Sequence, residues 1–262
     1  MTTGSGAPVP AGEGTAARLG PGGRLSSSLD EESRINLKDG SPMEVFEFRC
    51  KAGTALELRS ESTEVETHLT IYTPDGELLA RSPQTLPGAE PFARVQTLAT
   101  ETGSYMVVVS AGDRNQYGHF ELSAETISYE EAGPLPIPSD VTGLLHAGDE
   151  ALMERNTFVD RHVIKIEEPT TISVEMSSET LDAYLLLTDS RGGIVIGEND
   201  DARPGTTDSK LVVELQPGSY QLVATTYTPE SQGLYHLSVQ SLDLSEGGDL
   251  PLPGTKAGRL RG

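Results

Sequence analysis

The sequence has no tryptophan, a single cysteine, and 19 basic residues against 40 acidic ones. Each shortage excludes something. Lone Cys50 forbids an intrachain disulfide and any cysteine-rich metal site. The formal charge of −21 repels phosphate backbones and anionic membrane surfaces, so nucleic acid is excluded as a natural partner. No apolar run reaches the roughly 18 residues of a spanning helix, so membrane insertion is not expected. Catalytic signatures are missing as well: there is no Gly-x-Ser-x-Gly elbow, no His-Glu-x-x-His helix and no phosphate-binding glycine loop. The five histidines, His68, His119, His146, His162 and His236, do not fall at metal-ligand spacing and are expected at the surface.

Turn formers are abundant, with 28 glycines and 17 prolines, and the apolar residues alternate over short runs bounded by Gly, Pro, Asp and Ser. That period belongs to half-buried antiparallel strands. In Val45-Phe46-Glu47-Phe48-Arg49-Cys50 it places Phe46, Phe48 and Cys50 on one face, which makes Cys50 a structural thiol.

The chain repeats itself. Gly103-Ser104-Tyr105-Met106-Val107 returns as Gly218-Ser219-Tyr220-Gln221-Leu222, and Gly118-His119-Phe120-Glu121-Leu122 returns as Gly233-Leu234-Tyr235-His236-Leu237, both at an offset of 115. Upstream, Leu69-Thr70-Ile71-Tyr72 pairs with Tyr184-Leu185-Leu186-Leu187, Leu56-Glu57-Leu58 with Ile172-Ser173-Val174, and Val45-Phe46-Glu47-Phe48 with Val163-Ile164-Lys165-Ile166. The fold expected is all-β: two tandem antiparallel β-sandwiches of jelly-roll type, over residues 23–127 and 143–243. Strands are expected at 43–50, 54–60, 66–73, 76–81, 92–98, 104–111 and 117–124, and at 161–167, 170–176, 182–189, 193–197, 209–215, 219–226 and 233–240. A short helical turn or a loop is expected at 149–155. Residues 1–22 read as a flexible segment, and 128–142, with alternating Pro134, Pro136 and Pro138, as a stiff strand-poor linker. The stretch 244–262 repeats the linker flavour and ends on Gly258-Arg259-Leu260, like Gly23-Arg24-Leu25, so a third unit of a longer protein is expected to begin there.

Ala52-Gly53-Thr54, Pro74-Asp75-Gly76, Gly103-Ser104-Tyr105 and Gly118-His119-Phe120-Glu121-Leu122 occur in that order in the first unit. In the second, Leu181-Asp182-Ala183-Tyr184-Leu185, Gly218-Ser219-Tyr220 and Gly233-Leu234-Tyr235-His236-Leu237 follow suit. This order resembles the bacterial pre-peptidase C-terminal domain, a β-sandwich module found beside secreted proteases. The resemblance implies a secreted, periplasmic or cell-surface location. It also draws attention to acids: Asp182 with the loop residues Asn199, Asp200 and Asp201, and Asp208 beyond, form a candidate calcium set in the second unit only, because Thr67, His68, Ser82, Pro83 and Gln84 stand at the matching places in the first. The same loop also reads as a solvated turn.

Most of the tyrosines are explained as strand or core-edge residues, but Tyr117 and Tyr227 sit in loop-rich stretches where exposure would let them stack on a sugar or a peptide. The function expected is a non-catalytic accessory binding or targeting module of a larger protein. Its partners would be an adjacent domain of the same polypeptide, another extracellular protein or a glycan. A rigid spacer and a hydrolase built between the units are the alternatives.

Overall fold

The computed structural model describes residues 17–82 and 92–242. Two sheets make the first unit. One runs β1 (Arg18–Leu19), β4 (Pro42–Cys50), β9 (Gly103–Ala111), β6 (Thr67–Tyr72) and β7 (Leu78–Arg81), with β3 (Arg34–Ile35) paired to β4. The other runs β2 (Arg24–Leu29), β10 (Gly118–Thr126), β5 (Ala55–Glu61) and β8 (Phe92–Leu98). The second unit repeats this order strand for strand. Its larger sheet runs β11 (Pro134–Leu135), β14 (Thr157–Ile166), β19 (Gly218–Thr226), β16 (Ala183–Asp189) and β17 (Val195–Asn199), with β13 (Glu150–Leu152) on β14. Its smaller sheet runs β12 (Ser139–Leu145), β20 (Gly233–Leu242), β15 (Thr170–Ser177) and β18 (Ser209–Leu215). The chain is all-β, in two sandwich units.

Period-2 alternation builds both cores. Phe46, Phe48, Leu58, Leu69, Ile71, Val107, Val109 and Leu122 fill the first, and Ile164, Ile172, Val174, Leu185, Leu187, Leu222, Leu237 and Val239 the second. Each large side chain so buried is worth about 1.5–3 kcal/mol. Cys50 packs half-buried at the edge of the first core, where burial pushes its thiol up to about 11 and away from reactivity.

Strand pairing corrects the expected alignment of the repeats. Phe46 lies opposite Val107 and Phe48 opposite Tyr105, whereas His162 lies opposite Leu222 and Ile164 opposite Tyr220. Since Tyr105 and Tyr220 share the Gly-Ser-Tyr motif, Phe46 corresponds to His162. The match drawn from sequence had slipped by two residues, which keeps the face and changes the partner. The acidic position shifts too. Gly112 N–H donates to the Glu66 carbonyl as Tyr227 N–H does to that of Asp182, so the first unit has Glu66 where Thr67 was expected to stand.

Other differences follow from chain pairing. Leu19 is buried and β1 lies parallel on β4, inside the stretch expected to be flexible. Residues 128–142 are no strand-poor linker: β11 pairs with β14, β12 begins at Ser139, and Glu130 N–H donates to the Thr142 carbonyl. The alternating prolines tolerate this because an edge strand leaves half of its N–H groups unpaired. At 149–155 the chain forms β13 and a turn, with Asn156 in the left-handed region at φ 54°. The expected third-unit start and Pro83 and Gln84 lie outside the described residues.

The units touch through polar groups. Gln96 Oε1, on edge strand β8, accepts from Leu234 N–H at 2.9 Å and from the Thr180 hydroxyl at 3.3 Å. Gln232 returns the contact, its amide donating to the Leu79 carbonyl at 2.6 Å and its oxygen accepting from the Thr97 hydroxyl at 2.8 Å. Arg94 meets Glu179 at 2.6 Å and Arg81 meets Glu230 at 3.7 Å.

Candidate functional site

The repeat supplies its own control. In the first unit Phe46 and Phe120 pack edge to face, ring centroids 6.0 Å apart. At the corresponding place in the second unit stand His162 and Tyr235, also edge to face, at 6.5 Å. The geometry of an aromatic pair is kept and its chemistry is replaced.

A third residue completes the replacement. The Tyr235 hydroxyl donates to Asp160 Oδ2 at 2.6 Å and lies 3.0 Å from His162 Nε2, while His162 Nδ1 faces Gly133 N–H at 3.5 Å. Gly133 N–H has only its proton to offer, so Nδ1 is the acceptor and Nε2 carries the hydrogen toward Tyr235. All three side chains are buried, Tyr235 at 1% exposure and His162 at 2%. Burial pushes Asp160 up to about 6, holds His162 down at about 4, and raises Tyr235 as well, with the Asp160 charge adding to the last. Gly143 makes room: a Cβ there would collide with the Tyr235 ring.

The turn after β12 is rewritten in the same way. In the first unit Asp30 N–H donates to the Ser33 hydroxyl and Glu32 N–H to Asp30 Oδ1. In the second, His146 N–H donates to Asp149 Oδ2 at 2.6 Å and Gly148 N–H to His146 Nδ1 at 3.0 Å. His146 Nε2 lies 3.1 Å from Asp149 Oδ1. Burial raises Asp149 to about 7 and lowers His146. The Asp160 and Glu131 charges add to the rise at Asp149, which puts these carboxylates within electrostatic reach of one another.

Beside this polar core lies an open cavity of about 320 Å³ under the segment 130–141. His162 forms part of its wall, Leu135 and Val141 with three prolines its apolar lining, and Glu130, Glu131 and Asp140 its acidic rim. Neither Lys nor Arg lines it. Ser139 also faces it, with a buried hydroxyl that has no hydrogen-bond partner. Its hydroxyl is hydrogen-bonded to no base, and an activated serine nucleophile requires one.

No family model and no curated protein matches the sequence. Solved structures do. The chain is similar to the pre-peptidase C-terminal domain of a collagenase from Bacillus anthracis, at 18% identity over 44% of this chain and 99% of that one, with a TM-score of 0.34. It is also similar to a structure of the M60 catalytic domain with two CBM51 domains from Clostridium perfringens, at 8% identity over 78% and 34% of the two chains, TM-score 0.24. A tail fibre protein of an E. coli phage follows, at 9% identity over 93% and 43%, TM-score 0.33.

The residues singled out in the sequence lie elsewhere. Asp182 is raised by partial burial and by the neighbouring charges of Asp201 and Asp200. Asn199 is engaged, its side-chain oxygen by Lys210 N–H and its carbonyl by the Ser209 hydroxyl, and the Asp208 carbonyl accepts from Ala202 N–H. Among the described residues no group of three or more His, Cys, Asp and Glu is gathered to hold a metal ion. Tyr117 and Tyr227 are exposed, at 44% and 58%, and occupy different places in their repeats, corresponding to Gln232 and Gly112. His119 and His236 are exposed as expected, whereas His146 and His162 are buried. The signal that pointed to His162 was its place in the repeat, hidden by the two-residue slip.

Proposed function

We propose that this chain is a non-catalytic accessory binding module of a larger secreted or cell-surface protein, with the ligand held by the second unit at the cavity under residues 130–141. One observation carries this reading: a core position that the first unit fills with two phenylalanines is filled in the second by a buried Asp160–Tyr235–His162 network beside that cavity. The fold manages without the network, so the network serves something other than the fold. The acidic rim and apolar lining suit a segment of another extracellular protein or a glycan with few negative charges. Export and the kinship with pre-peptidase C-terminal domains rest on the ordered motifs of the two units: Gly-Ser-Tyr and the Gly-x-Phe/Tyr-x-Leu strand in both, Pro74-Asp75-Gly76 in the first and Leu181-Asp182-Ala183-Tyr184-Leu185 in the second.

Contacts between the units favour a rigid pair and supply no hydrolytic set, being made by Gln, Thr, Arg and Glu side chains and backbone groups. The test is calorimetric titration against panels of extracellular peptides and glycans, repeated with Ser139→Phe, which fills the cavity. Saturable binding that Ser139→Phe removes is the expected result. Turnover in a hydrolase panel that disappears with His162→Phe would replace this reading by an enzymatic one.

A further inference from the structure

The face by which the first unit holds the second recurs on the second unit, and there it is open. In the first unit this face is made by Leu79 and Arg81 of β7 and by Arg94, Gln96 and Thr97 of β8. Pairing fixes the corresponding residues. Ala80 lies opposite Ile71 as Gly197 lies opposite Leu187, which matches Leu79 to Ile196 and Arg81 to Glu198. Val95 lies opposite Leu58 as Leu211 lies opposite Val174, which matches Arg94 to Lys210, Gln96 to Val212 and Thr97 to Val213. The polar Gln96 and Thr97 have become Val212 and Val213, while charges remain at Glu198 and Lys210. Ile194, Val195, Ile196 and Val212 are exposed on this face at 66%, 54%, 38% and 37%.

The opposite face follows the same logic. The second unit docks through Glu179, Thr180, Gln232 and Leu234. The Ser62 and Ser178 hydroxyls hold equivalent turns, each donating to a carbonyl, of His119 or Leu234, and accepting two N–H groups. Thus Thr63, Glu64, Tyr117 and His119 of the first unit stand where Glu179, Thr180, Gln232 and Leu234 stand in the second. Tyr117 is exposed at 44%.

We infer that the β17–β18 face of one molecule docks the Tyr117 end of the first unit of a second copy, repeating head to tail the contact that already joins the two units. The substitutions on the two faces are matched. Where Gln232 bridges the Leu79 carbonyl and the Thr97 hydroxyl, the tyrosine ring of the next copy meets the side chains of Ile196 and Val213, so both sides of the contact turn apolar together. Lys210, at the place of Arg94, comes beside Glu64, the neighbour of Thr63, and keeps the sign of the Arg94–Glu179 pair. A contact of this kind is heterologous, so its repetition builds an open chain and not a closed dimer. It uses neither His162 nor the cavity under 130–141, and its success or failure is separate from that of the proposed ligand site.

The experiment is sedimentation velocity of the full chain over a wide concentration range near 0.15 M salt, where the net charge is screened beyond about 8 Å. The expected result is a weight-average mass that climbs past the dimer with concentration. Ile196→Lys and Tyr117→Ala should each leave a monomer with unchanged melting temperature, since both side chains are exposed. Mixed together, these two variants still own one good face each and should form a 1:1 dimer that goes no further. A wild-type chain that stays monomeric throughout overturns the inference, as does association that survives both substitutions or a mixture that remains monomeric.

Discussion

A carboxylate, a phenol and an imidazole cost more to bury than two phenyl rings, and this protein does both at one position of its repeat. The three polar groups satisfy one another, so their energies are coupled. Tyr235→Phe leaves the Asp160 carboxylate without its side-chain donor and His162 Nε2 without an acceptor, and should destabilise by about 1–3 kcal/mol. Adding His162→Phe restores the pair found in the first unit, and the double variant should lose less than the two single losses combined, with a coupling of about 1–2 kcal/mol by urea unfolding. Strict additivity would show that the network is not a unit. Protons report on the same groups. Asp149 and Asp160 hold theirs up to about 7 and about 6, against 3.8 for an ordinary aspartate. The folded state therefore binds more protons than the unfolded chain in that window, and the associated stability, complete below 3.8, is lost as pH rises through 6 and 7. His162, lowered to about 4 from 6.5, contributes in the opposite sense: its share is present above 6.5 and lost as pH falls toward 4, and His146 shifts the same way. The two trends oppose each other in the acidic range, and only the carboxylate trend survives above it. The melting temperature should be nearly level from about pH 4.5 to 6 and decline from about 6 to 8. Asp149→Asn should remove most of that decline; a decline of undiminished size in this variant would place its origin elsewhere.

At the scale of the element, β12 and β20 pair so that Gly143 lies opposite Tyr235, and the absence of a side chain there lets the phenol cross toward Asp160. Gly143→Ala should cost about 1–3 kcal/mol by overpacking, and much less in a Tyr235→Ala background. An equal cost in both backgrounds would mean a backbone effect instead. Strands were legible in the sequence wherever apolar alternation is sustained: β8 and β18 fall at the expected residues, and the long central strands differ only at their ends. What escaped were β2 and β12, whose six and seven residues carry too few apolar side chains to alternate, and short partners such as β1, β11 and β13, whose two or three residues hold no period and whose pairing is made by the long strand beside them. His162 escaped for a related reason, since its neighbours Phe158, Val163, Ile164 and Ile166 offer two apolar registers and only pairing with β19 selects one. The β17–β18 loop was legible as acidic but not as to use. With Asp182, Asp200 and Asp201 repelling one another, Asp182→Asn should raise stability by a few tenths of a kcal/mol. Since no three-carboxylate group is assembled there, calcium and magnesium at matched ionic strength should raise the melting temperature equally. A larger calcium effect that Asp182→Asn removes would instead establish the calcium set expected at Asp182, Asn199, Asp200, Asp201 and Asp208.

For the whole molecule the question is where one unit ends. Every sheet is completed by strands of its own unit, so neither unit borrows a strand across the boundary. The contacts between units are polar and local to the ends of β7, β8 and β20, which stiffens the pair without merging the cores. Two fragments cut between Ile127 and Ser128 should therefore each unfold cooperatively in calorimetry. The second must keep the whole segment from 128 onward, because Glu130 N–H is bonded to Thr142, Gly133 is bonded to Val163 and His162, and β11 covers the edge of β14. A fragment begun at Gly143, where the repeat motif opens, lacks β11 and most of β12 and exposes Tyr235, Ile164 and the cavity wall. It should melt without a sharp transition. Joined in one chain, the units should melt closer together than the fragments do, because each bond between Gln96 or Gln232 and the opposite unit is formed only when both are folded. Gln96→Ala removes an acceptor shared by Leu234 and Thr180 and should let the two transitions separate again. If the fragment begun at Gly143 unfolds as cooperatively as the one begun at Ser128, then residues 128–142 are a linker after all and the pairing of β11 and β12 contributes little to the second core.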